Sequence, residues 1–161
     1  MRGSPKEIRT LQGAHERGRR AENEFRATLS DNARESTQLE DMFEHWDLMD
    51  DGVTYDIKNI KTVDAHGKSV HHWIEFRNVK GKSGSIEGKA DMMVFEDRDD
   101  WIIIDRIKLK KFCEDKAVGI LGEGKKPYYW YSRGLDKTML VPTSDLRVIA
   151  NELRSKVKLK D

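Results

Sequence analysis

Three acidic side chains and one lysine stand at spacings that suit phosphodiester chemistry: Glu22, Asp47, Asp56 and Lys58. Asp50, Asp51 and Gly52 separate two strand-like segments, residues 44–49 and 53–60, and Asp-Gly between such runs is a strong hairpin signal. With Asp51-Gly52 as a two-residue loop, Leu48 faces Tyr55, Asp47 faces Asp56 and His45 faces Lys58. Side chains alternate between faces along each strand. One face then carries Trp46, Leu48, Val53, Tyr55 and Ile57 and is apolar enough to be core. The other carries His45, Asp47, Thr54, Asp56 and Lys58. Carboxylates directly opposite one another are unfavourable at Cβ separations of about 5 Å. Lys58 offsets part of that repulsion. A divalent cation offsets more, and Asp oxygens with a backbone carbonyl and waters suit Mg²⁺. The plain alternative is a charged face turned to solvent.

The fourth group has to come from another element. Leu11, His15, Gly18, Glu22, Phe25 and Leu29 share one stripe at helical spacing. A carboxylate on a core-facing stripe is costly unless it is paired or bound to a metal. A helix bearing Glu22 over a hairpin bearing Asp47, Asp56 and Lys58 gives three acids and a lysine, a set suited to metal-assisted attack of water on a phosphodiester.

The rest of the chain supplies the scaffold. After the hairpin, residues 70–79, 91–96 and 101–105 read as strands, the last two as a second hairpin. Residues 107–114 read as a short helix, and residues 128–131 and 138–141 as strands. A last helix, capped by Thr143 or Ser144, carries Leu146, Ile149, Ala150 and Leu153. This order predicts a single α/β domain over residues 1–161, a central mixed sheet with an antiparallel catalytic hairpin flanked by helices. Residues 1–10 and 155–161 are expected to be flexible.

Composition narrows the class. The chain has 161 residues, formal net charge +1, four Trp, four Tyr and five Phe, so it has core-forming aromatics and is no simple polycation. One cysteine, Cys113, excludes a disulfide framework or a Cys-rich zinc site. No apolar run reaches the roughly 18 residues of a membrane helix, so no membrane partner is expected. A reducing, cytoplasmic setting, bacterial or phage-infected, is expected.

The residues quoted so far resemble the PD-(D/E)XK nuclease superfamily, the restriction-endonuclease-like fold. Asp47 in Glu44-His45-Trp46-Asp47 stands at the motif's first Asp, and Asp56-Ile57-Lys58 at its (D/E)XK element. Glu22, within the segment from Gly18 to Phe25, is similar to the helix Glu of Holliday-junction-resolvase-like branches. The segments Trp73-Ile74-Glu75-Phe76 and Gly88-Lys89-Ala90-Asp91 resemble small phage-encoded nucleases. The resemblance spans roughly residues 13–105. Trp46 stands where the motif has Pro, and Asp56 where Glu is commoner. The resemblance implies Mg²⁺-dependent cleavage of DNA, with Mn²⁺ able to substitute, and frequently a homodimer.

On that footing Asp47, Asp56 and the Ile57 carbonyl are the expected metal ligands, and Lys58 orients water or takes up charge on the phosphate. Glu22 binds a second ion or a metal-bound water. Glu75 and His45 are additional candidates. DNA contacts are expected from Arg19, Arg20, Lys80, Lys82 and Lys89, the last three in a Gly-rich loop that lets backbone approach phosphate. A second basic stretch, Lys125, Lys126 and Arg133, brackets the aromatic run Tyr128, Tyr129, Trp130 and Tyr131; basic groups beside aromatics can hold phosphates and stack on bases, but the favoured reading here is solvated charge around a strand whose aromatics pack inward. The competing reading is a catalytically inactive nucleic-acid- or protein-binding module on the same fold.

Overall fold

The computed structural model describes residues 8–157. Its strands form two six-stranded sheets, both mixed, where the sequence pointed to one. The first runs in the order β12 (Glu152–Ser155), β8 (Asp100–Asp105), β7 (Met92–Glu96), β4 (Val53–Lys58), β3 (Leu48–Asp50) and β2 (Arg34–Glu35). The second runs β1 (Arg9–Thr10), β5 (Thr62–Val63), β6 (Ser69–Arg77), β11 (Lys137–Pro142), β10 (Tyr129–Tyr131) and β9 (Gly119–Leu121). The pairing β6·β11 joins residues far apart in sequence, and nothing local in either strand announces it.

The turn and the pairs nearest it form as expected, but the ladder stops at Leu48, so Asp47 and His45 do not pair across it with Asp56 and Lys58. Leu48 pairs with Tyr55 and Met49 with Thr54, and Asp51 and Gly52 both have positive φ, 50° and 77°. Such a turn matches the twist of the flanking strands, and Gly accepts its second position without strain. Helix α1 (Ala14–Arg26) lies on this sheet and buries Ala21 and Phe25, one turn apart. Phe25 meets Tyr55 and Trp101 at ring-centroid distances of 5.3 and 5.4 Å. Leu48, Ile57, Val94 and Ile103 complete this core. His15, expected on the stripe, is exposed.

The opposite face of the first sheet packs towards the second. Met93, Phe95, Ile102 and Ile104 meet Ile74, Phe76, Met139 and Val141, closed by Leu109 and Cys113 of α3 (Arg106–Lys116) and Leu146 of α4 (Thr143–Ile149). In that dry setting the lone thiol is pushed up to about 12 by burial, so it stays neutral.

Several boundaries differ from expectation. Residues 38–44 form α2 (Gln38–Glu44), opened by a reciprocal capping box between Thr37 and Glu40. Glu44 and His45 therefore close a helix instead of starting the hairpin strand. The last helix follows Pro142 with no side-chain cap, since the Thr143 hydroxyl meets Ser69 Oγ at 2.7 Å. That helix ends at Ile149, which places Leu153 on β12. Both stretches expected to be flexible contain ordered strand: Arg9–Thr10 pairs with β5, and Ser155 with Asp100. The remainder of the two expected tails, residues 1–7 and 158–161, lies outside the described residues.

Beneath α1, Glu96 is wholly buried at the end of β7. It accepts two bonds from Arg20 (2.9 and 2.8 Å), one from Lys156 (2.7 Å) and one from the Ile60 amide (2.9 Å). Burial pushes its carboxyl up, but these donors outweigh burial and hold it below the usual range. Among the described residues no helix is long and apolar enough to cross a membrane.

Candidate active site

Asp47 sits one residue before β3, where the ladder has ended. Its amide bonds the Tyr55 carbonyl (2.8 Å), and its Oδ2 accepts the Ile57 amide (2.7 Å). That bond fixes the side chain beside the Asp56-Ile57-Lys58 segment. Asp56 is 4% exposed and lies level with Met93 on the face of β4 that looks towards the second sheet. Its Oδ1 is 3.2 Å from Lys58 Nζ, and Lys58 is on the same face, two residues on.

Glu22 approaches from α1, half-buried, and its carboxyl lies near enough to Asp47 for each to act on the other. Asp47 thus feels the charge of two other acids, Asp56 on β4 and Glu22 on α1, and these three make up the acidic row. Burial, then the Asp56 charge, pushes the Asp47 carboxyl up to about 9, with Glu22 adding to the effect. Glu22 is also raised, chiefly by burial. Both shifts run the same way, so the pair resists carrying two negative charges at once. Burial pulls Lys58 down, but Asp56 and Asp47 outweigh it and hold the ammonium above its ordinary value.

These groups fit an oxygen-preferring cation. The donors are carboxylates, one of them buried, and mutual repulsion makes a carboxyl of the row keep a proton that a cation would replace. Among the described residues no group of three or more His, Cys, Asp or Glu side chains stands so that it could hold a metal ion as placed. Binding an ion here means turning side chains of the row towards one point.

The other candidates fall out unevenly. Glu75 extends from β6 of the second sheet and its charge reaches Lys58 and Lys61. Lys61, which sequence reasoning passed over, lies close enough to Lys58 to be held below its ordinary value by burial and by that neighbour. His45 is the cap of α2, at φ 58°, so it does not face Lys58 across the hairpin. Gly88 is the neighbour that lets His45 sit there: a Cβ on Gly88 would stand 2.7 Å from His45 Cβ and 2.8 Å from the Glu44 carbonyl.

Of the basic residues, Arg19 is exposed and near enough to Glu22 to favour its charged form. Arg20 is committed inward to Glu96, with Glu24 alongside, and is removed from the DNA-contact set. Lys80, Lys82 and Lys89 are exposed. The amides of Lys80 and Lys82 both bond Asn78 Oδ1, which shapes a tight loop between β6 and the short 3-10 turn Ser85–Glu87. In comparisons with protein-family models, curated proteins and solved structures, nothing matches this chain.

Proposed function

We propose that this chain is a divalent-metal-dependent nuclease of the PD-(D/E)XK type that hydrolyses DNA phosphodiester bonds as an endonuclease. The observation that carries the reading is the row Glu22–Asp47–Asp56 with Lys58 against its buried end. A module that merely binds nucleic acid gains nothing from buried acids that repel phosphate.

Asp47, Asp56 and the Ile57 carbonyl would hold Mg²⁺ or Mn²⁺, with Glu22 holding a second ion or a water beside Asp47. When bound, the metal supplies polarisation of the phosphate and a water of lowered pKa. Lys58 keeps its proton, so its part is electrostatic: it orients the attacking water or takes up charge growing on the phosphate oxygens. The Ile57 amide holds Asp47 in place throughout. Arg19, Lys80, Lys82 and Lys89 meet the backbone phosphates. Cutting both strands with one such site calls for two copies, hence a homodimer, and the expected setting is the cytoplasm.

The test is incubation of the purified protein with supercoiled plasmid, branched DNA and single-stranded DNA, with Mg²⁺ or Mn²⁺ and with EDTA. Nicking that needs the metal and disappears in Asp56→Ala is the expected result. A folded protein that binds these DNAs but cuts none of them under any condition would leave the inactive binding module in its place.

A further inference from the structure

A cavity opens on the second sheet, and one of its wall residues, Trp73, also borders the cleft that holds Lys58. The cavity encloses about 460 Å³, within the range of small-ligand sites, between Trp73 on β6, Tyr131 on β10 and the loops at 122–125 and 132–136. Trp73 forms one wall, edge-to-face with Tyr131 at 5.5 Å, and is 38% exposed. Val79 and Leu135, 79% and 62% exposed, line the same space. Three large apolar side chains left open around one cavity offer a surface that another molecule could cover.

Two features say what covers it. The first is continuity with the acidic row. Trp73 also borders a smaller cleft lined by Lys58, Lys61 and His71, so one residue is shared between the cavity and the lysine of the candidate site. The second is the order of the cations. Lys58 and Lys61 line the smaller cleft and Lys125 and Arg133 line the cavity, with Trp73 common to both. Ammonium and guanidinium groups therefore run from the acidic row to the aromatic wall. The rim also carries Glu123 and Asp136, and Asp136 is engaged by the Arg133 amide at 2.9 Å. The cavity itself is thus suited to a flat, neutral, polar-edged ring, while the approach to it suits phosphate.

We propose that this cavity takes an unpaired nucleobase, stacked against Trp73, from a single-stranded segment whose backbone passes Lys125, Lys61 and Lys58 towards the acidic row. The inference rests on the nuclease reading and narrows its substrate to DNA with unpaired bases beside the cut. A base inside a duplex is already stacked on both faces and has no face to offer Trp73. Base–aromatic stacking is worth about 1–3 kcal/mol per base, which corresponds to roughly 5- to 150-fold in affinity.

The test measures binding without cleavage. Fluorescence anisotropy in EDTA compares a labelled 20-nucleotide single strand with the same sequence as a blunt duplex, using the full chain. Wild type is expected to prefer the single strand. Trp73→Ala should lose about tenfold or more on the single strand and little on the duplex, and Trp73→Phe should restore most of it. Leu135→Glu, at an exposed rim position, should weaken the single strand in the same way and controls for any misfolding of Trp73→Ala. Free deoxynucleoside monophosphate should compete only weakly, since it lacks the backbone track. Equal binding of single strand and duplex, no loss in both Trp73→Ala and Leu135→Glu, or a mononucleotide that binds as well as the strand would overturn the proposal. Nuclease activity is a separate readout. DNA cutting with an unaltered Trp73→Ala profile sinks the cavity alone, and Trp73-dependent binding without any cutting sinks the nuclease reading alone.

Discussion

Asp47 closes the ladder with its side chain: its carboxylate accepts the Ile57 amide at 2.7 Å, one residue before the strand pairing of β3 begins. A backbone donor therefore sets where this acid stands, whatever its protonation state. Its charge is governed by other groups, Asp56 and Glu22, which makes position and charge separable by mutation.

Asp47→Asn keeps an oxygen for Ile57 and removes the titration. In the folded chain the Asp47 carboxyl rises from 3.8 to about 9. A raised carboxyl contributes stability that is complete below about 3.8 and is lost as pH climbs towards 9. Urea melts should show Asp47→Asn gaining on wild type as pH increases, by on the order of 1–3 kcal/mol at pH 8, with little difference at pH 4. The same variant should be inactive in nicking. A constant difference across that range would mean that the acid row is not coupled.

Lys58→Ala removes the cation against Asp56. Loss of one such electrostatic group costs about 10²–10³ in rate, so nicking with Mn²⁺ should fall by that factor or more. Asp56 is buried but Lys58 is about one-third exposed, so the stability loss should be about 1–2 kcal/mol, below that of a fully buried pair. Added Mn²⁺ should raise the thermal midpoint of wild type and of Lys58→Ala, and leave Asp56→Asn where it is. A midpoint in Asp56→Asn that moves as far as wild type would remove Asp56 from the ligand set.

His72 predicts a separate acid sensitivity. Its Nε2 lies 3.1 Å from the Glu96 carbonyl, its ring packs against Phe95, and burial pushes it from 6.5 down to about 4. A depressed histidine gives stability that is whole above 6.5 and is lost as pH falls towards 4. The loss is about 3 kcal/mol over that window. His72→Gln retains polar reach but cannot titrate, so its stability should decline less steeply between pH 6.5 and 4. Parallel slopes for the two proteins would show that His72 does not titrate as argued.

The hairpin was legible because its information is local. Asp-Gly sets the turn, alternation sets the faces, and Leu48, Tyr55, Asp56 and Lys58 follow from the register. Glu22 was legible as an acid out of place on an apolar stripe. His45 was misplaced although the signal was present, since Thr37 and Glu40 stand at capping-box spacing and announce α2. Arg20 looked like a free cation because its partner is Glu96, 76 residues away at the end of an apolar run. The second sheet and the Trp73 cavity depend on β6 meeting β11 and β10 meeting β11, and periodicity within each strand is blind to that choice.

Glu96 binds Arg20 from one part of the chain and Lys156 from another, separations of 76 and 60 residues. One carboxylate thus ties the helix that carries Glu22 to residue 156, and a chain cut back ahead of Lys156 would leave Arg20 the only cation bonded to Glu96.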